Sequence, residues 1–190
     1  MKTLVLLVIV ALALIPSSQS LGSCPSPSSC LECPPDWIRW ENNCYKYHSE
    51  ENLNFNEAEA VCNQFVPFKE TCSCQTAHLA SIGSAEENTF LLEEWRKVRG
   101  DSGNASIQRL HIGYTDQAEE GNWQWVDGSS SIYQNWDTYE PNDDPPSHKQ
   151  NCGLMWKNED GDNGKWNDGS CYDKRCPFFC KFRLFEDNIQ

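Results

Sequence analysis

Oxygen-bearing side chains that could bind a metal ion are concentrated between residues 140 and 168. They are Glu140, Asn142, Asp143, Asp144, Asn158, Glu159, Asp160, Asp162, Asn167 and Asp168. Calcium in proteins takes about six to eight oxygen ligands from carboxylates and amide carbonyls, and no His/Cys spacing typical of zinc competes here. An EF-hand loop is excluded, because residues 158–169 lack the glycine at the sixth position and end in Gly169 rather than glutamate. The cluster therefore indicates either a calcium site or a solvated acidic loop.

The other reactive residue types show no arrangement suited to catalysis. Neither H-E-x-x-H nor G-x-S-x-G occurs, and the four histidines (48, 78, 111 and 148) have no spacing that suggests catalysis. Cys30-Leu-Glu-Cys33 has C-x-x-C spacing, but in a chain without a second such pair we interpret it as structural. We therefore expect a binding protein rather than an enzyme.

The charge balance limits the possible partners. The chain has 28 acidic and 15 basic residues, which gives a formal net charge of −13. This charge disfavours nucleic acid and anionic membranes as partners. It suits cations, although acidity also keeps a secreted protein soluble.

The first 20 residues have the pattern of a secretory signal peptide. Lys2 precedes an apolar run from Leu4 to Ile15, and small residues follow up to Ser20. The run is too short to span a bilayer comfortably, so we expect a secreted, extracellular protein without membrane insertion. The 11 cysteines fit that oxidising compartment. The expected division is a signal peptide at 1–20, a Ser/Pro-rich, cysteine-containing tail at 21–32, one domain at 33–184 and a C-terminal tail at 185–190.

Short local patterns predict the elements that must position the acidic cluster. Aromatic runs around Glu41-Asn-Asn-Cys44 predict a hairpin. A first helix is predicted from a cap at Asn54 or Asn56, and Ser84-Ala-Glu-Glu87 is a capping-box pattern that starts a second helix, which Gly100 ends. Their apolar faces are Phe55, Ala58, Val61 and Cys62 in the first helix, and Phe90, Leu91 and Trp95 in the second.

The second half of the domain has a different pattern. Short strands are predicted at 110–114, 123–126 and 178–182, and residues 127–169 are predicted to be a long irregular stretch, a type of segment that is usually functional. A hairpin, two helices and then strands with long loops predict an α+β fold.

From Trp37 to Phe182 the chain resembles a long-form C-type lectin domain. The ordered series that carries the resemblance is Cys33, Cys44, Cys62, His78-Leu-Ala-Ser-Ile82, His111-Ile-Gly-Tyr114, Trp123-Gln-Trp125, Asp127-Gly128, Asn135-Trp136, Glu140-Pro-Asn142, Cys152, Trp166-Asn-Asp168, Cys171 and Cys180. The resemblance implies the C-type lectin fold, with two helices, small antiparallel sheets and a long irregular calcium-binding loop region.

The resemblance also implies a calcium ion bound by Glu140, Asn142, Asn167 and Asp168, with a cis peptide bond before Pro141. Two vicinal hydroxyls of a sugar would bind the ion and hydrogen-bond to the same side chains, because carboxylates accept and amide groups donate. In this family a Glu-Pro-Asn order goes with equatorial hydroxyls, as in mannose, N-acetylglucosamine, glucose or fucose, and Gln-Pro-Asp goes with galactose. A mannose-type preference is therefore expected.

Two positions depart from the family pattern. The family usually has a glutamate two residues before the cysteine that is Cys152 here, and this chain has Gln150, which still offers an amide oxygen but no charge. We therefore expect weaker calcium binding rather than none. A second calcium site is expected at Asp116, Glu120 and Asp143, although its fourth position is the weaker ligand Asn151.

The resemblance implies three disulfides, which are Cys33–Cys44, Cys62–Cys180 and Cys152–Cys171. Five cysteines remain, and we predict that Cys72 or Cys74 pairs with Cys176. Cys24 or Cys30 would then link protomers into a disulfide-linked homo-oligomer. Asn104-Ala-Ser106 is an N-glycosylation sequon. Most aromatic residues are expected in the core, and Trp136 and Trp166 are possible sugar contacts because they are near the site.

Three functions follow from these observations. The first is a calcium-dependent lectin that binds glycans and gains avidity as an oligomer, as in small soluble invertebrate lectins. The second is an acidic C-type lectin-like biomineral matrix protein, which ranks lower because the chain has no Pro- and Gly-rich repeats. The third is a calcium-independent, protein-binding lectin-like domain, which Gln150 favours and the intact Glu140-Pro-Asn142 and Trp166-Asn-Asp168 oppose.

Overall fold

The structure is a computed structural model and describes residues 32–49, 52–65, 76–99, 109–143, 149–156, 164–174 and 176–184. The predicted signal peptide and C-terminal tail, Cys24, Cys30, Cys72, Cys74 and Asn104 lie outside these residues. Neither helix in the described part of the chain combines the length and the apolar surface needed to cross a bilayer.

The described elements confirm the α+β class. In chain order they are β1 (Ile38–Trp40), β2 (Asn43–His48), α1 (Phe55–Cys62), β3 (His78–Leu79), α2 (Ala85–Arg99), β4 (Arg109–Thr115), β5 (Gln124–Trp125), β6 (Cys152–Trp156), β7 (Trp166–Gly169) and β8 (Phe178–Arg183). The sheet has the strand order β1-β2-β8-β4-β6-β7, with β3 paired to β8 and β5 to β4. A parallel pair, His111 with Phe178, joins the antiparallel ladders into one mixed sheet, whereas the resemblance implies small antiparallel sheets.

The two helices start as their local sequences predict. Asn54 caps α1 by accepting from the backbone N of Glu57 at 3.0 Å, while the Glu57 carboxylate accepts from the backbone N of Asn54 at 2.8 Å. Ser84 Oγ accepts from the backbone N of Glu87 at 3.1 Å, but the Glu87 carboxylate accepts from Gly83 instead of from Ser84. Only the Ser84 half of the α2 capping box has the usual partners, and the Glu87 half binds the backbone N of the preceding residue, Gly83.

The prediction of one long irregular stretch at 127–169 is wrong in part, because the stretch contains strands β6 and β7. These strands pair with each other in antiparallel register, and Cys152 lies opposite Gly169. A Cβ atom on Gly169 would lie 2.4 Å from Leu154 Cδ1, so the glycine allows close packing inside the sheet rather than a turn. Because Gly169 follows Asn167 and Asp168, which are also unfavourable in strands, the sequence did not predict this strand.

Strand β7 is anchored in the aromatic core. Trp166 is fully buried and packs against Tyr114, Trp125 and Tyr133. Its indole Nε1 donates to Asn88 Oδ1 of α2 at 2.7 Å, so the polar tip of the ring is satisfied inside the core. Since Trp166 is 0% exposed, the suggestion that it could contact sugar is wrong.

Three disulfides hold the described elements together. They are Cys33–Cys44, Cys62–Cys180 and Cys152–Cys171, the three pairs that the resemblance implies. The first closes the β1–β2 hairpin, the second joins α1 to β8, and the third joins β6 to the turn after β7. Cys176 is buried, and its predicted partner at 72 or 74 lies outside the described residues, so this pairing stays a prediction.

His111 in β4 gives the fold a predictable response to acid. Burial lowers its pKa from 6.5 to about 4, and a hydrogen bond from Nε2 to the Asp173 carbonyl oxygen, 3.2 Å away, opposes the shift only in part. The unfolded chain therefore binds the proton more readily than the folded chain. This contribution to stability is complete above pH 6.5 and falls by about 3 kcal/mol as the pH drops from 6.5 through 4.

We expect His111→Gln, which keeps a donor for the Asp173 carbonyl, to remove this part of the pH dependence. Urea unfolding at several pH values between 4 and 7 measures it. Parallel pH profiles for the variant and the original protein would contradict the assignment.

Candidate functional site

The loop that carries Glu140 is attached to β7 by backbone hydrogen bonds. The backbone N of Trp166 donates to Asn135 O at 2.8 Å, and the backbone N of Asp137 donates to Trp166 O at 2.7 Å. Trp136 forms a parallel bridge with Trp166, and its ring packs edge-on against Trp123 at 4.7 Å, which leaves it half-buried. The loop therefore runs beside the strand that supplies Asn167 and Asp168.

Asp168 organises the loop from below. Its side chain is buried, and its carboxylate accepts from the backbone N of Asn142 at 3.1 and 3.2 Å and from the backbone N of Asp143 at 2.7 Å. The bond between Glu140 and Pro141 is cis, as the resemblance implies. The side chains of Glu140 and Asn142 therefore lie together beside Asp168 of β7.

Glu140 carries a carboxylate that is only partly satisfied. Its Oε1 accepts from Asn142 Nδ2 at 2.9 Å, and its Oε2 is buried without a hydrogen-bond partner among the described residues. Burial, followed by the nearby Asp168 carboxylate, raises the pKa of Glu140 from 4.5 to about 7, and the nearby Asn167 amide opposes the shift. A cation between Glu140 and Asp168 would favour the charged form of both carboxylates.

The chemistry of these side chains fits a calcium ion. Glu140 and Asp168 offer two negative charges, Asn142 and Asn167 offer amide oxygens, and the unsatisfied Oε2 of Glu140 needs a positive partner. Hard oxygen ligands of this kind suit calcium rather than zinc. In the part of the chain that the structure describes, no group of three or more His, Cys, Asp and Glu side chains could hold a metal ion. A bound ion would therefore depend on the amide oxygens.

Gln150 lies at the rim of this cluster. Its backbone N donates to Asp143 Oδ1 at 2.8 Å, which links the end of the loop to the residue that follows Asn142. Gln150 also lines a cleft of about 480 Å³ together with Asn167 and Asp168. The position expected from the sequence is thus next to the site, and its side chain brings no charge there.

The second group of acids is only partly assembled. Asp116 is buried, and the Asn151 amide Nδ2 donates to Asp116 Oδ1 at 2.9 Å and to Glu120 Oε2 at 3.2 Å. The contacts of Asp143 are instead with Asp168 and Gln150. An ion at this place would require the Asn151 amide to present its oxygen instead of its NH₂ group, so the second calcium site stays a prediction.

Three features next to the site were not anticipated. Tyr139 precedes the cis bond with a φ of +70° and has a side chain that is 90% exposed. Arg109 and Trp156 line the same cleft as Asn167 and Asp168. No signal in the sequence connects Arg109 and Trp156 with Asn167 and Asp168, because the cleft depends on how β4 pairs with β6 and β6 with β7.

Comparison with known proteins gives consistent matches over most of the chain. The family model of the lectin C-type domain matches residues 51–182. An alpha-N-acetylgalactosamine-specific lectin from Patiria pectinifera is 36% identical over 159 residues, which cover 82% of this chain and 85% of the relative. The C-type lectin BfL-2 from Bungarus fasciatus is 33% identical, covering 82% of this chain and 87% of the relative. In fold, the chain matches the crystal structure of the C-type lectin CEL-I from Cucumaria echinata with a TM-score of 0.66, 24% identity, and coverage of 81% of this chain and 99% of that one.

The fold and these matches together define a carbohydrate-binding domain of the lectin class. The chain belongs to the C-type lectin family. Its family and relatives are lectins, which bind carbohydrate and are not enzymes.

Proposed function

We propose that the chain is a secreted, calcium-dependent lectin that binds glycans through Glu140, Asn142, Asn167 and Asp168, with Gln150 at the rim. The observation that carries the proposal is the pair of adjacent carboxylates, Glu140 and Asp168, of which Glu140 keeps one buried oxygen unsatisfied among the described residues. Such a pair is costly without a cation. A bound calcium ion would supply coordination positions for two sugar hydroxyls.

The side chains around that position supply what sugar hydroxyls need. A hydroxyl can donate to a carboxylate oxygen of Glu140 and accept from the Nδ2 group of Asn142. The hydrogen bond between these two side chains holds them together, and the backbone N–H groups of Asn142 and Asp143 donate to the Asp168 carboxylate and keep it beside the loop. The residues therefore orient the hydroxyl pair, and their Glu-Pro-Asn order supports a mannose-type preference.

A relative favours a second specificity. The lectin from Patiria pectinifera, 36% identical, is named for alpha-N-acetylgalactosamine. The two preferences predict different sugars at the same site, so they can be separated by one measurement on the same protein.

The test is retention on sugar resins in the presence of calcium, followed by elution with a chelator. We expect retention on mannose-agarose, release by the chelator, and no retention on galactose-agarose. Retention only on N-acetylgalactosamine resin would support the lectin function but contradict the mannose-type preference. Retention that a chelator does not reverse would contradict calcium dependence, and no retention on any resin would favour the protein-binding or biomineral functions.

The wider organisation belongs to the same proposal. A signal peptide at 1–20, a tail at 21–32, a domain at 33–184 and glycosylation at Asn104 describe a secreted glycoprotein. Linkage through Cys24 or Cys30 would produce an oligomer in which weak single sites gain avidity. Gel electrophoresis with and without reductant distinguishes such an oligomer from a monomer, and unchanged migration would count against it.

A further inference from the structure

The cleft beside Asn167 and Asp168 extends well beyond the proposed sugar site. It has a volume of about 480 Å³, which lies within the usual range of small-molecule pockets, about 300–1,000 Å³. Gln150, Asn167 and Asp168 line it beside the first half of β6, where Gly153 pairs with Asp168 and Leu154 with Asn167. Arg109 and Trp156, which pair with each other where β6 ends, line its other end together with Asp173. A ligand bound at the first end thus has an open, continuous surface next to it.

Arg109 is held in place at the far end of this cleft. It lies opposite Trp156 in the β4–β6 ladder, and its guanidinium carbon is 4.8 Å from the centre of the Trp156 ring. Its Nη1 also donates to Asp173 Oδ2 at 2.9 Å. The guanidinium group has five N–H donors in a planar fork. Because two contacts already hold this side chain, less of its conformational entropy would be lost when a ligand binds. The side chain keeps 40% of its surface exposed.

Asp173 is fixed from its other side. Its carbonyl oxygen accepts from His111 Nε2 at 3.2 Å, and its backbone N donates to Ser170 O at 3.0 Å. The negative charge of Asp173 compensates the positive charge of Arg109, so this end of the cleft is close to neutral. Donors and acceptors in a fixed, neutral arrangement suit hydroxyl groups better than an anionic group, which would have to compete with Asp173 for Arg109.

We propose that this second end, formed by Arg109, Trp156 and Asp173, is a subsite for a neutral hexose linked to the sugar at the Glu140–Asn142 loop. The protein then prefers an oligosaccharide over a single sugar. The proposal rests on the proposed function, because the subsite is defined by its position next to the calcium-dependent site.

The test compares matched mono- and oligosaccharides as inhibitors of binding to the sugar resin, with the full secreted chain and calcium. The probes are methyl α-mannoside with mannotriose, and methyl α-N-acetylgalactosaminide with a disaccharide ending in that sugar. We expect the oligosaccharide to inhibit about tenfold better than its monosaccharide, as one or two added hydrogen bonds to a charged group predict. Arg109→Ala should bring that ratio close to one and leave inhibition by the monosaccharide unchanged.

Two further variants separate a subsite from a structural role. Arg109→Lys keeps the charge but loses the planar fork, and it should lower the ratio less than Arg109→Ala does. Arg39→Ala makes the same truncation on β1, at the opposite edge of the sheet, and should leave the ratio unchanged. An equal ratio for the original protein and Arg109→Ala, or equal losses for both inhibitors, would overturn the subsite. If the original protein binds none of the four probes and also fails to bind N-acetylglucosamine, glucose and fucose, the proposed function itself is wrong.

Discussion

Replacing Asp168 with asparagine is expected to abolish calcium-dependent retention on the sugar resin. The change removes one of two charges from the proposed ion site and keeps the side chain's shape. It also weakens the acceptor for the backbone N of Asn142 and of Asp143, which hold the loop above β7. Removing one partner from a buried charged contact costs about 3–5 kcal/mol, which corresponds to a loss of affinity of more than about a hundredfold.

Asp137→Asn is the matched control for this variant. Asp137 is an exposed residue of the same loop, and its carboxylate accepts from the backbone N of Thr138 at 2.8 Å. The Asp137→Asn substitution also removes one negative charge close to the site, but it removes no proposed ligand. We therefore expect less than about a twofold change in calcium affinity. Calcium titration followed by tryptophan fluorescence measures both variants. Equal calcium affinities for Asp168→Asn and the original protein would place the ion elsewhere.

Removing the disulfide between α1 and β8 is expected to have the largest effect on stability. Cys62 and Cys180 are separated by 118 residues in sequence, and both are fully buried. Because the entropy that a cross-link removes from the unfolded chain grows with loop length, Cys62→Ala with Cys180→Ala should lower the free energy of unfolding by about 5 kcal/mol.

The hairpin disulfide provides an internal comparison. Cys33 and Cys44 are separated by only 11 residues, so Cys33→Ala with Cys44→Ala should cost about 3 kcal/mol. Denaturation by guanidinium chloride without reductant gives both values. A larger loss for the hairpin pair than for the long-range pair would show that strain or packing, rather than loop closure, controls the stability of these bonds.

The local elements could be predicted because their signals lie within a few residues. Asn54 and Glu57 reciprocally satisfy the first backbone groups of α1, and the spacing of Phe55, Ala58 and Cys62 places them on its buried face. The Glu41–Cys44 turn closed the predicted hairpin for the same reason. In each case the interaction is complete without help from a distant part of the chain.

Strand β7 could not be predicted in this way. Trp166-Asn-Asp-Gly169 has a poor strand composition, and its conformation depends on pairing with β6 and on the close approach of Gly169 to Leu154. Its pairing and its burial against α2 through Asn88 are long-range effects. Tertiary packing therefore overrode the local propensities, and the prediction for this segment was wrong.

The candidate site was predicted in part. Composition left a calcium site and a solvated acidic loop as equal possibilities, and the ordered motifs pointed to Glu140, Asn142, Asn167 and Asp168. The structure then brings Glu140 within hydrogen-bonding reach of Asn142 and next to Asp168. The contact of Arg109 with Trp156 and Asp173 was not predictable, because these residues come from three separate segments whose proximity depends on the sheet order.

The sheet order also has a practical consequence for how the domain can be attached to other objects. The first described strand, β1, lies at one edge of the sheet, and the last, β8, is the third strand from that edge. Strand β7, which carries Asn167 and Asp168, lies at the other edge. A tag, a sensor surface or a neighbouring copy joined near residue 33 or 184 would therefore be placed away from the edge that carries the proposed glycan site. Several domains gathered by these ends would point their sites outward, which is the geometry that lets one particle bridge two glycan-coated surfaces.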